Sequence, residues 1–82
     1  MPYEIDLTDE VADDYQQMPA WAQRSFEMAL DDAADDPHLL PTFLPSLPSS
    51  RVLEFAGGRG SCMVEIAEED KRLIVRYLNP PR

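Results

Sequence analysis

The sequence predicts an α+β fold in the order βααβββ, an N-terminal strand and a helical hairpin packed on a small antiparallel sheet, and three observations predict it. Residues 3–7 alternate apolar and acidic side chains. Residues 9–35 carry two helical stripes divided at Met18-Pro19. Residues 51–78 read as three runs of β-branched and large apolar residues, separated first by a glycine cluster and then by a charged turn.

In Tyr3 to Leu7 the side chains of Tyr3, Ile5 and Leu7 fall on one face and those of Glu4 and Asp6 on the other, as in a half-exposed strand. Thr8 fits an N-cap, and Asp9 and Glu10 follow where a helix's positive end favours carboxylates. A first helix is therefore expected over about Asp9 to Gln17, burying Val11, Ala12, Tyr15 and Met18. Pro19 is tolerated in a first turn but not in mid-helix, so it opens a second helix over about Ala20 to Asp35. Its stripe is Ala22, Phe26, Ala29, Leu30 and Ala33, with Trp21 and Met28 on the flank, and Asp36-Pro37 ends it.

Residues 37–50 form a proline-rich apolar connection whose four prolines argue against regular structure. Leu39, Leu40, Phe43, Leu44 and Leu47 are too apolar for a loose tail, so the segment is expected as an extended cover over a sheet edge or helix. Its prolines make no repeated PxxP, which disfavours a polyproline ligand. His38, the only histidine, reads as a loop residue rather than a metal ligand or base. The later strands are expected over Val52 to Phe55, Cys62 to Ala67 and Leu73 to Leu78, with Gly57, Gly58 and Gly60 in the first turn and Glu68 to Lys71 in the second. Cys62, Val64 and Ile66 are the core side of the third strand, Cys62 as a core thiol. In the last strand either Leu73, Val75 and Tyr77 or Ile74, Arg76 and Leu78 face inward. Only the first set avoids burying an arginine, which leaves Arg76 on the open face beside Glu65 and Glu54.

The 82 residues are expected to form one domain, 1–82, without internal repeats. A domain of that size buries roughly 60–65% of its unfolded surface. The lone cysteine and a start, MPYEIDLTDE, with neither basic nor apolar signal regions favour the cytoplasm. No apolar run is long enough for a membrane span. Residues 1–50 carry a net charge of −10 and residues 51–82 a net of +1, together the −9 of the chain. Direct contact with duplex DNA is disfavoured, because phosphate binding ordinarily draws on a basic surplus. Any nucleic acid would have to meet the C-terminal part of the chain, residues 51–82, where six of the seven cations lie.

The strand-to-helix run Tyr3 to Val11, the helix-closing Asp36-Pro37-His38, Leu47, Leu53-Glu54-Phe55, Gly58 to Ile66 and Leu73 to Arg82 together give the chain a likeness to a known group. With the βααβββ order, this pattern resembles the RelE/ParE toxin superfamily, most nearly its HigB-like branch. The resemblance implies the toxin-like component of a bacterial type II toxin-antitoxin system. An antitoxin would be its protein partner, the ribosome or mRNA its target, and a homodimer is allowed. No cofactor and no metal is implied. RelE-like and HigB-like members cut mRNA on the ribosome, whereas ParE-like members inhibit gyrase. In the former a basic sheet face stabilises the charge that develops as a ribose 2′-hydroxyl attacks the neighbouring phosphate, and another group manages the proton.

Carried onto this chain, the resemblance implies Arg76, Tyr77 and Arg59 as the catalytic set and Arg51, Arg59 and Arg82 as RNA-binding residues. The departures are as specific as the matches. Ala56 and Cys62 stand where the family has arginines, and Glu65 where it has a tyrosine, which implies weakened catalysis. A second reading keeps the fold without the chemistry, as an inactive protein-binding module or regulator whose acidic helices meet a basic partner. A third makes the acidic hairpin a mimic of a nucleic-acid backbone.

Overall fold

A computed structural model describes residues 2–81. Strand β1 (Glu4–Leu7) leads into helices α1 (Asp9–Gln17) and α2 (Ala20–Asp35), followed by β2 (Thr42–Leu44), β3 (Leu47–Phe55), β4 (Gly60–Ala67) and β5 (Arg72–Asn79). Both helix spans fall where the caps placed them. Thr8 Oγ1 accepts from the Val11 N–H at 3.3 Å, and Asp9 and Glu10 occupy the first turn. Pro19 is the N-cap of α2, and Gln23 Nε2 reaches back to the Tyr15 carbonyl at 2.8 Å, satisfying one of the acceptors that α1 leaves open at its end.

The five strands form one sheet in the order β1-β5-β4-β3-β2, with β1 parallel to β5 and the other pairs antiparallel. Both helices lie on one face. From them Val11, Met18, Ala22, Phe26, Leu30 and Ala33 meet Leu53, Phe55, Cys62, Val64, Ile66 and Leu73 of the sheet, and the Phe26 ring stands 5.1 Å from that of Phe55. Gly60 lies under Phe55, where an added Cβ would sit 2.7 Å from Cζ. Gly60→Ala is therefore expected to cost about 1–3 kcal/mol as an overpacking change, read by urea denaturation. A Phe55→Leu change in the same chain should recover part of it.

Two expectations need correction. The proline-rich connection is largely ordered as strand: a 3-10 turn (Pro37–Leu39) precedes β2, and β3 begins at Leu47, five residues ahead of the expected Val52. The prolines fit because none has to donate to a ladder. Pro41 precedes β2, Pro45 lies in the turn between β2 and β3, and Pro48 comes before the pairing of β3 with β4 starts at Ser50. The segment thus covers the sheet edge by becoming its outer strand.

The second correction concerns β5. Leu73 and Val75 are buried as expected, but Tyr77 is 62% exposed and Leu78 is buried in its place. The register explains it: Val64 faces Val75 while Met63 faces Tyr77, so Arg76 is an extra residue, a β-bulge. It falls where β5 loses its outer partner, because the β1 ladder stops at Leu7 opposite Val75 and the chain turns away into α1.

Candidate functional site

The face of the sheet away from the helices is open, and the bulge decides what it presents. Strict alternation would place Arg76 and Tyr77 on opposite faces. With Arg76 inserted, both are exposed and adjacent at the edge of β5. Arg76 Nε donates to Glu65 Oε1 at 3.2 Å across the β4–β5 pair. The neighbouring Arg72 binds Asp6, with Glu4 at 3.8 Å. Its guanidinium pKa is raised chiefly by the Asp6 hydrogen bond. Both arginines of β5 are thus matched by carboxylates of adjacent strands, which lowers the positive potential of the face.

The structure brings Arg76 and Tyr77 together and sets Arg59 and Arg51 apart from them. Arg59, in the β3–β4 turn, carries its guanidinium 5.9 Å from the centroid of the Trp21 ring, toward the helix layer. It precedes Gly60, five residues along β4 from Glu65, a span of about 17 Å of extended chain. Arg51 donates Nε to the Pro48 carbonyl at 2.8 Å and Nη1 to the carbonyls of His38 and Leu40 at 2.9 and 2.7 Å. That guanidinium braces the base of the β2–β3 hairpin. Arg82 lies outside the described residues. Cys62 is buried, its thiol pushed up to about 12 by desolvation, and is an inert part of the core.

Beside Arg76 and Tyr77 the open face holds a feature that the sequence reading missed. Val52 faces Met63, which faces Tyr77, giving a row across three strands, and Phe43 of β2 lies diagonally beside its Val52 end. Together with Ser61 and Asn79 these four line a hollow of about 620 Å³. The available signal was the alternation that puts Met63 on the side of Glu65. Phe43 carried none, because its strand was not expected.

A second unexpected cluster lies at the opposite end of the sheet. Tyr3 Oη donates to the Glu68 carboxylate, His38 Nε2 lies 2.6 Å from Glu68 Oε1, and Lys71 Nζ donates to Oε2 at 3.0 Å. These bonds, led by that from Tyr3, lower the Glu68 pKa from its ordinary 4.5 to about 2. The folded value lies below the unfolded one, so the Glu68 contribution to stability is complete above about pH 4.5 and is lost as pH falls toward 2. A Glu68→Gln variant is expected to show a flatter dependence of stability on pH across that window in urea titrations. Equal slopes for the two proteins would contradict the cluster.

No family model matches the chain, and no curated protein matches it. Solved structures do. An arginine-to-alanine double mutant of the E. coli toxin RelE in the free state is similar at TM-score 0.85 and 11% identity, over 98% of this chain and 84% of that one. RelE in the intact E. coli RelBE toxin-antitoxin complex is similar at 0.83 and 10% identity, over 98% of each chain. The RelBE2 complex of Mycobacterium tuberculosis gives 0.76 and 16% identity, over 98% of this chain and 99% of that one. The chain therefore has the RelE fold from β1 through β5. These likenesses do not separate a HigB-like branch from RelE.

Proposed function

We propose that this RelE-fold chain is the toxin component of a toxin-antitoxin pair, acts on translation in the cytoplasm, and has a partner antitoxin. The observation that carries this reading is the pairing of Arg76 and Tyr77 on the open face of a fold shared with RelE toxins, both free and in complexes with RelB. In the chemistry proposed, a ribose 2′-hydroxyl attacks the adjacent phosphate and the 5′-oxygen of the next nucleotide leaves. Arg76 stabilises the charge on the phosphorane, and Tyr77 exchanges protons with the attacking or leaving oxygen. Glu65 limits the rate by neutralising Arg76, so the cleavage is attenuated. Arg51 acts indirectly, by holding the hairpin that borders the face, and Arg59 and Arg82 act as peripheral phosphate contacts.

Inducing the chain in a bacterial host, with and without the neighbouring reading frame, tests this. Growth arrest with cleavage of translated mRNA, relieved by the neighbouring product, is the expected result. Growth and mRNA both unaffected would refute the reading. A second reading, a regulator that binds a basic protein, draws support from the exposed acids Asp31, Asp32, Asp35 and Asp36 at the end of α2. It predicts a complex that weakens with salt and survives Arg76→Ala.

A further inference from the structure

We propose that the outer face of α2 is the contact of a two-fold homodimer, in which the helices of two copies lie antiparallel and the basic half of each meets the acidic half of the other. The proposal is independent of the toxin reading and concerns how the chain associates with itself.

The face follows from the helical period. Ala22, Phe26, Leu30 and Ala33 turn α2 toward the sheet, which leaves Trp21, Arg24, Met28, Asp32 and Asp35 at spacings of three and four along the opposite side. Trp21 is 46% and Met28 69% exposed, two large apolar side chains that the fold leaves uncovered. Charge is sorted along the same stripe. Arg24, the only cation of residues 1–50, stands in the N-terminal half, where the Arg59 guanidinium also lies, 5.9 Å from the centroid of the Trp21 ring. Asp31, Asp32, Asp35 and the capping Asp36 crowd the C-terminal end, whose partial negative charge disfavours carboxylates, and no basic residue shares the last turn. Among the described residues neither Arg24 nor any of these four aspartates forms an ion pair.

Such a stripe is complementary to itself when reversed, which is the condition for an isologous contact. With the two-fold axis at Met28, Arg24 and Asp32 each lie four residues from it, about 6 Å along the helix, so Arg24 of each copy faces Asp32 of the other. Trp21 and Asp35 are each seven residues from the axis, so Asp35 of one copy comes beside the Trp21 ring and the Arg59 guanidinium of the other. The two Met28 side chains meet at the centre. A basic foreign protein would satisfy the aspartates and leave Arg24 facing its own sign of charge, whereas a second copy satisfies both halves. The helix has 16 residues, about 24 Å, so the contact falls at the small end of specific interfaces and the pair exchanges with the monomer.

The test is sedimentation velocity of the purified full chain over a wide concentration series, with far-UV circular dichroism of each variant to show that the exposed substitutions keep the fold. The parent is expected to pass from monomer toward dimer as concentration rises. Arg24→Glu and Asp32→Arg should each weaken association about tenfold, because each turns two attractions into two repulsions. An equimolar mixture of these two variants should associate as the parent does, since in the mixed pair each altered side chain meets an opposite charge. Asp32→Arg also changes the net charge from −9 to −7, one acid lost and one cation gained, so association governed by overall repulsion would strengthen with it rather than weaken. A chain that stays monomeric throughout the series would overturn the proposal. So would a dimer that Arg24→Glu leaves unchanged, or a mixture of the two variants that associates no better than either alone. A monomer that instead binds a lysine-rich peptide through these aspartates would overturn it in favour of the regulator reading.

Discussion

Phe26→Ala is expected to destabilise the chain by about 3–5 kcal/mol, the range for emptying a buried aromatic site. Phe26 is 1% exposed, and its ring meets Tyr15 at 6.0 Å and Phe55 at 5.1 Å, so it joins both helices to β3. Little around it can close the gap. Ala22 and Ala33 on the same helix are too short to fill the space, and the sheet below is fixed by its ladders. A chain of 82 residues has a total stability of about 4–12 kcal/mol at the usual allowance per residue. The substitution therefore removes a large share of it, and Tm should fall by roughly 15–30 °C. Thermal and urea unfolding followed by far-UV circular dichroism would show this. A loss below about 1 kcal/mol would mean that the helix layer does not pack on the sheet through this ring.

The second large effect concerns the working face. If Arg76 stabilises a phosphorane, Arg76→Ala should lower the rate of RNA cleavage by about a hundredfold or more, the usual consequence of removing a preorganised donor from a developing charge. Glu65→Gln should move the rate the other way. The Arg76–Glu65 pair is exposed on both sides, 43% and 41%, and pairs of that kind contribute about 0.2–1 kcal/mol. Releasing the guanidinium from its carboxylate should accelerate cleavage by about 1.4- to fivefold. The opposite signs matter more than the sizes, because general loss of structure would lower both rates. Circular dichroism and unfolding of each variant would confirm that neither change disturbs the fold.

How much of this could be read from the residues alone follows from the range of the interactions involved. The helix boundaries were legible because their causes are local: Thr8 caps α1, Pro19 separates the pair, and Pro37 forces Asp36 out of the helical region, at φ −154°. The core stripes were legible because helical and strand periodicities assign Val11, Phe26, Leu30, Val64 and Leu73 to the inside without knowledge of their partners. Strand β2 was not, since proline excludes a residue from a ladder only where its N–H would have been needed, and which positions those are depends on where the partner strand begins. The exposure of Tyr77 was not legible either. It depends on a bulge placed where β1 departs, and the residues of β1 lie some seventy positions earlier in the chain. The cluster on Glu68 joins residues 65 and 30 positions apart and left no local pattern. Arg51 is a related case: a cation in a predicted nucleic-acid face, its side chain occupied by three backbone carbonyls, of Pro48 in β3 and of His38 and Leu40 just ahead of β2, in a segment whose order the residues did not announce.

The most direct test of the account is cleavage of a translated mRNA in a bacterial cell-free translation system, with the parent chain, Arg76→Ala and Glu65→Gln compared side by side. The account predicts slow cleavage by the parent, none detectable with Arg76→Ala, and faster cleavage with Glu65→Gln. Equal rates for all three proteins, or a loss of activity with Glu65→Gln, would contradict the assignment of Arg76 as the stabilising cation and Glu65 as its restraint.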